Sequence, residues 1–115
     1  MNRVGSRLRA LVLVLFLASS ASAADFDIPP LRTAVTDRAG ILSKASREQL
    51  ESALQRLRQI GGTQIAVLTV PDLAGLTIEQ ASIRVADAWK LGSKQGDNGV
   101  LLFVAPNERK IRIEV

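Results

Sequence analysis

The first strong pattern along the chain is a stripe of apolar residues at helical spacing. It begins after Ser43, a residue type that caps helix N-termini, and stops at Gly61, which suits the left-handed position at a helix end. We predict a helix that packs on a sheet, and a helix that binds a partner is the alternative. The apolar stripe consists of Leu50, Ala53, Leu54, Leu57 and Ile60, and the opposite, solvated face carries Arg47, Glu51, Gln55 and Arg58.

A strand and a second helix are predicted next. Residues 63–71 are mostly β-branched or apolar up to Pro71, which indicates a central strand covered on both faces. Thr77 and Gln80 have the spacing of a capping box, and the helix that follows is expected to end near Gly92. Trp89 is interpreted as a core residue, with a ligand platform as the alternative. The predicted buried stripe of this helix contains Ile78, Ala81, Val85, Ala88 and Trp89.

The last part of the chain has the pattern of a β-hairpin. Residues 99–106 read as a second buried strand, and the segment after them alternates between apolar and charged side chains. The order helix, strand, helix, strand, strand predicts an α/β fold with a parallel crossover followed by an antiparallel pair. Two helices are few for a parallel sheet, so we expect the front part of a larger domain. The alternation places Ile111, Ile113 and Val115 on one face and Lys110, Arg112 and Glu114 on the wet face.

The amino-terminal segment has the pattern of a secretory signal peptide. Three arginines in the first nine residues precede an apolar stretch at 10–18 and small residues ending at Ala23, after which we expect cleavage. The apolar stretch is short for a bilayer span, although an uncleaved anchor is the alternative. Residues 24–34 contain Pro29 and Pro30 and read as an extended arm before the domain at 35–115. We therefore expect an exported protein of the periplasm, the cell envelope or the medium.

Composition narrows the chemistry that this chain can perform. Without the first 23 residues, 12 basic and 11 acidic residues remain, so the basic character belongs mainly to the predicted signal. No block of Lys or Arg indicates nucleic acid or an anionic membrane as a partner. The sequence has neither His nor Cys, which excludes a thiolate nucleophile, histidine catalysis and a zinc site of the usual ligands. Carboxylates, hydroxyls, amides and cations must carry any function.

The glycine-containing loop at 92–99 is the most distinctive candidate for chemistry. It follows a helix and opens a strand, the reverse of a phosphate-binding loop, so no nucleotide cofactor is expected. Asp97 and Asn98 offer the oxygen ligands that Ca²⁺ or another divalent cation prefers. Asp37, in a second glycine-containing loop, is the best candidate for a further carboxylate. We predict a metal site of Asp37, Asp97 and Asn98, with a simple turn as the alternative. Catalytic residues are not assigned.

Two blocks of the sequence are especially specific: Val35-Thr36-Asp37 before Ile41-Leu42-Ser43, and Trp89-x-x-Gly92 followed by Asp97-Asn98-Gly99-Val100-Leu101. Through them and their neighbours, residues 28–115 resemble the TPM domain, also called the TPM phosphatase domain. The resemblance implies an α/β/α sandwich around a mixed sheet in an exported or membrane-tethered protein. Acid phosphatase activity and Ca²⁺ binding have been attributed to some members. Asp37 and Asp97 match acidic family positions, whereas the later helices that supply further acids in the family are missing here.

Taken with the residues, the resemblance leads to three expectations about function. The first is an exported envelope protein that acts as a binding or assembly module for a protein partner, with a divalent ion as a structural clip. The second is a metal-dependent acid phosphatase that hydrolyses phosphoric monoesters. The third is a truncated remnant without activity. A membrane is expected to be involved only through export, or through a tether that this chain lacks.

Overall fold

The computed structural model describes residues 26–92 and 98–115, and these form a mixed sheet with a helix on each face. The predicted signal peptide and Asp97 lie outside the described residues. In chain order the elements are β1 (Val35–Asp37), α1 (Lys44–Gly61), β2 (Gln64–Thr69), α2 (Ile78–Trp89), β3 (Gly99–Ala105) and β4 (Lys110–Glu114).

The sheet has the strand order β1-β2-β3-β4, in which the first three strands are parallel and β4 is antiparallel to β3. The predicted α/β/α sandwich around a mixed sheet is thereby confirmed. The short strand β1 was not predicted from the sequence. Three residues are too few to show the period-2 pattern of a strand, and they form one only by pairing with β2. Among the described helices, none is long and apolar enough to cross a membrane.

Local capping signals explain where both helices begin and end. The Ser43 side chain accepts from the N–H of Ser46 at 3.1 Å, and Thr77 and Gln80 form the predicted capping box, so both starts are confirmed. The end of α1 is one residue later than predicted. Gly62, with φ of 73°, takes the left-handed position, and its N–H donates to the carbonyl of Arg58 at 2.9 Å.

The larger core lies between α2 and the sheet. Phe103, Leu101 and Leu68 are fully buried there, and the arm packs on the same core through Phe26, Ile28 and Leu31. Trp89 is a core residue, as interpreted, and its Nε1 donates to the carbonyl of Pro29 at 2.8 Å. The prediction that Ala88 is buried is wrong. Ser82, four residues after Ile78, lies nearer the centre of the stripe and is buried instead.

The smaller core lies on the other face, between α1 and strands β1 and β2. Val35, Leu54 and Val67 are buried there, with Leu50 packed against them. Leu57 and Ile60 are exposed, which corrects the predicted stripe of α1. Helix α1 contacts β1 and β2, whereas α2 contacts β3 and β4, so the end of the α1 stripe has no strand to cover.

The faces of β4 are the reverse of the expected arrangement. Ile111 and Ile113 are exposed, whereas Arg112 and Glu114 are half-buried on the side that faces α2. The Glu114 carboxylate accepts from Nε of Arg112 at 2.8 Å and from the Ser82 hydroxyl at 3.4 Å. Helix α2 therefore covers the charged face of β4, and the apolar face has no helix over it among the described residues.

Candidate functional site

Asp37 ends β1 and organises the loop that leads into α1. Its carboxylate accepts from the Thr69 hydroxyl at 2.5 Å and from the N–H groups of Ile41 and Leu42 at 3.2 and 2.9 Å. The Thr69 hydroxyl in turn accepts from the N–H of Ala39 at 3.0 Å. Both carboxylate oxygens are therefore engaged in holding the turn. This arrangement is a structural role that a short Asp-containing loop commonly performs.

The same contacts set the charge of Asp37. Partial burial raises its pKa, but the hydrogen bonds from Thr69, Leu42, Ile41 and Gly40 act in the opposite direction and together outweigh burial. The net pKa lies below the ordinary value, so the carboxylate is ionised at neutral pH. An ion at this position would have to compete with donors that already stabilise the negative charge.

Asn98 lies at the start of β3, next to the start of β2. Its backbone carbonyl accepts from the N–H of Gln64 at 2.8 Å, and Gln64 is paired with Gly99 in the sheet. The Gln64 side chain accepts from the N–H of Gly92 at 3.0 Å, which connects the end of the α2 segment to the same edge. Asn98 therefore belongs to the amino-terminal edge of the parallel strands.

The structure does not bring Asp37 and Asn98 together. Asp37 is level with Thr69 at the carboxyl end of β2, whereas Asn98 is beside Gln64 at its amino end. The five residue steps of β2 correspond to about 16 Å at the usual rise of a strand. One ion cannot contact both residues, so the predicted grouping of Asp37 with Asn98 is corrected. Within residues 26–92 and 98–115, no three His, Cys, Asp or Glu side chains are grouped to hold a metal.

A second carboxylate at the carboxyl-terminal edge was not expected from the sequence. Glu108, in the β3–β4 turn, accepts from the N–H of Leu73 at 2.9 Å through Oε2 and connects this turn to the β2–α2 loop. Its Oε1 is buried and has no hydrogen-bond partner among the described residues. A glutamate in a polar turn gives no sequence signal of burial, because turns are usually solvated.

Glu51 was also missed, because it was placed on the solvated face of α1. Its two carboxylate oxygens accept from the N–H groups of Ala34 and Val35, each at 2.7 Å. The N–H of Val35 lies on the side of β1 that has no neighbouring strand, because the carbonyl of the preceding residue, Ala34, makes the bond to β2. The helix thus supplies the hydrogen-bond acceptors that a further strand would otherwise provide.

A further feature of the described surface is apolar. We call it the open face: the uncovered side of β3 and β4 together with the adjoining end of α1. Leu102 of β3 contacts the α1-side core and is paired with Ile113, which places Ile113 on this side of the sheet. The exposed fractions of its five outermost side chains range from 50% to 92%, and these are Leu57, Ile60, Ile111, Ile113 and Val115.

Helix geometry places Ile60 on the side of α1 opposite Glu51. Glu51 points toward the β1 edge, as its bonds to Ala34 and Val35 show. Ile60 follows nine residues later, which at about 100° per residue is half a turn around the axis. Ile60 therefore points away from the β1 edge, and its side chain is 86% exposed.

Comparison with known proteins agrees with this two-helix, mixed-sheet architecture. The structure is similar to the N-terminal domain of a protein from P. gingivalis, with a TM-score of 0.70 and 30% identity over 77% of this chain. It is also similar to the N-terminal domain of the cg2496 protein from Corynebacterium glutamicum, with a TM-score of 0.60 and 19% identity over 82% of this chain. The matched part is 60% of each of those chains.

The layered fold thus places the chain in the class of α/β/α proteins with a mixed sheet. The sequence matches the TPM domain over residues 35–115, and the chain belongs to the TPM domain family. No curated protein matches the chain.

Proposed function

We propose that this TPM-domain chain is an exported assembly module of the cell envelope that binds an amphipathic helix of a protein partner on the open face. The observation that supports this function is the set of five exposed apolar side chains on α1 and β4. Monomeric proteins rarely leave a contiguous apolar surface uncovered, and such surfaces commonly bind other proteins. Export rests on the sequence pattern of residues 1–23.

The dimensions of the open face favour a helix as the occupant. Two strands at a spacing of about 4.8 Å present a surface about 10 Å wide, and a helix with its side chains has a diameter of about 10 Å. On the opposite face α2 already covers these same two strands. A helix on the open face would complete the second layer over β3 and β4, as layered α/β folds require.

The chemistry of the surface indicates which helix fits. Ile111 and Ile113 of β4, and Val115 directly after it, follow one another at every second residue, and Leu57 and Ile60 are exposed on α1. A partner helix with apolar residues at positions i, i+3, i+4 and i+7 presents a matching stripe. The acid phosphatase alternative has no comparable support among the described residues, because Asp37 is already engaged by the β1–α1 loop.

A site-specific dye tests the proposal, since the chain contains no cysteine. Ile113→Cys would carry an environment-sensitive dye on the open face, and Ile83→Cys would carry it on the exposed side of α2 as the matched control. The probe is a designed 18-residue helix with leucines at the four stated spacings. We expect saturable binding that shifts dye emission at position 113 and leaves position 83 unchanged.

Two further variants make the experiment decisive. Ile113→Arg should weaken binding of the designed helix at least tenfold, whereas Ile83→Arg should not, and both should keep the buried fluorescence of Trp89. A scrambled peptide of the same composition should not bind. Equal binding by the scrambled peptide, equal loss in both arginine variants, or self-association that occupies position 113 would overturn the proposal.

A further inference from the structure

A second surface, at the other end of the sheet, combines a groove with unpartnered cations. The groove has a volume of about 710 Å³ and lies among the arm, the edge strand β1 and helix α1. Pro29, Pro30 and Val35 line it, and of these three Pro30 is exposed. We call it the β1-edge groove. Pockets of this size hold molecules much larger than a single oxyanion.

The three acids that line the groove already have partners. Glu51 accepts from two backbone N–H groups, and Asp37 accepts from the Thr69 hydroxyl and the loop N–H groups. Glu48 forms an exposed ion pair with Lys44 at 3.9 Å. These three carboxylates therefore already interact with other groups of the protein itself.

The three arginines of the groove differ from the acids in this respect. Arg32 comes from the arm, Arg38 from the β1–α1 loop and Arg47 from the first turns of α1, and all three are exposed. Within residues 26–92 and 98–115, their guanidinium groups have no hydrogen-bond or ion-pair partner. Guanidinium groups bind carboxylates by paired hydrogen bonds, so three of them around one groove form a surface for an anionic ligand.

The backbone of β1 excludes one mode of recognition. The N–H of Val35 donates to Glu51, its carbonyl accepts from the Thr33 hydroxyl at 2.9 Å, and the carbonyl of Asp37 accepts from the N–H of Gly40 at 3.4 Å. These groups are the ones that an added strand would need. A ligand in the groove must therefore be recognised by side chains.

We propose that the β1-edge groove binds an acidic peptide segment of a protein partner, whose carboxylates contact Arg32, Arg38 and Arg47. The cations come from three separate elements, which fits a ligand whose charges are spread along a chain. The exposed ring of Pro30 offers apolar surface to the stems and backbone of such a segment. This site lies at the β1 edge and is separate from the open face, so it does not depend on the function proposed above.

The test uses a fluorescent decapeptide of alternating Glu and Ala, titrated against the purified protein at low salt. Single replacements Arg32→Gln, Arg38→Gln and Arg47→Gln should each weaken binding about 1.5-fold to fivefold, the range expected for an exposed charge pair. Arg56→Gln is the matched control, because Arg56 is an exposed arginine of α1 outside the groove. It should leave the affinity unchanged, as should the open-face variant Ile113→Arg.

Each alternative result has a defined meaning. Binding that is equal for the Gln-Ala decapeptide, or equally weakened by Arg56→Gln, would overturn the proposal by showing contacts that do not depend on these cations. Complete displacement by low millimolar inorganic phosphate would assign the groove to a single oxyanion. Binding of phosphatidylglycerol vesicles through the same arginines, without binding of the peptide, would assign it to a membrane. The last two results would also overturn the peptide assignment.

Discussion

The carboxylate of Glu51 closes the free edge of β1, and its removal tests how this edge is stabilised. Glu51→Ala deletes both acceptors and leaves the N–H groups of Ala34 and Val35 without their protein partners. A hydrogen bond contributes about 1 kcal/mol net, and about 1.5–3 kcal/mol when one group is charged. Both bonds are only partly buried, so water replaces part of the loss. We expect the free energy of unfolding to fall by about 2 kcal/mol.

Glu48→Ala is the matched control for this measurement. It makes the same chemical change one turn earlier in α1, where the side chain is exposed and pairs only with Lys44 at 3.9 Å. An i,i+4 pair of this kind contributes about 0.2–0.5 kcal/mol. The loss of unfolding free energy in Glu51→Gln should lie between the losses in Glu51→Ala and Glu48→Ala. One side-chain oxygen of the glutamine still accepts, while its amide group faces the second N–H.

Urea denaturation followed by Trp89 fluorescence measures all three variants, since Trp89 is the only tryptophan and is buried. Amide hydrogen exchange adds a local measurement, because Ala34 and Val35 should exchange faster in Glu51→Ala than in Glu48→Ala. If the two alanine variants differ by less than about 0.5 kcal/mol, or if exchange at Ala34 and Val35 does not change, the stabilising role of Glu51 is refuted.

Two further predictions concern the loops at the ends of the strands. The lowered pKa of Asp37 means that its contribution to stability is complete above its ordinary value of 3.8 and is lost as pH falls through the folded-state value. The stability difference between the wild type and Asp37→Asn should therefore be largest at neutral pH and shrink below about pH 4, and a constant difference would contradict this. Gly99→Ala places a Cβ against the backbone of Leu91 and Gly92, closer than van der Waals contact allows, and should cost about 1–3 kcal/mol in urea denaturation. Gly61→Ala, where nothing lies within 4 Å of the added carbon, is the control and should not be destabilised.

The parts of the fold that were predictable are those specified by neighbouring residues. Ser43, Thr77 and Gln80 act on backbone groups within three residues of themselves, so their capping roles follow from spacing alone. The strands β2 and β3 were predictable because each is a mostly apolar run that is too short for a buried helix and is soon followed by a proline, Pro71 or Pro106. Membership of the TPM domain family was likewise carried by contiguous blocks.

The parts that were missed depend on how elements pack. The alternation in β4 shows that its two faces differ, but it does not show which face lies under α2. The position of α1 over β1 and β2 leaves Ile60 exposed, although its spacing matches Leu50 and Leu54. The pairing of Asp37 with Asn98 was wrong for the same reason. Asp37 ends β1 at the carboxyl edge of the sheet, whereas Asn98 precedes β3 at the amino edge.

The two outermost strands of the sheet, β1 and β4, differ in which of their groups are left exposed, and this difference bears on the proposed assembly function. At β1 the outward backbone groups are satisfied by Glu51, Thr33 and Gly40, so this edge resists pairing with another strand. At β4 the charged side is covered by α2, and the apolar side is left exposed. Under the two proposals, recognition at β1 uses side-chain charge, whereas recognition at β4 uses apolar burial. Because β1 and β4 are the outermost strands at opposite ends of the sheet, occupation of one surface leaves the other accessible. A module built in this way can connect two partners of different chemistry, which is the property that the proposed assembly function requires.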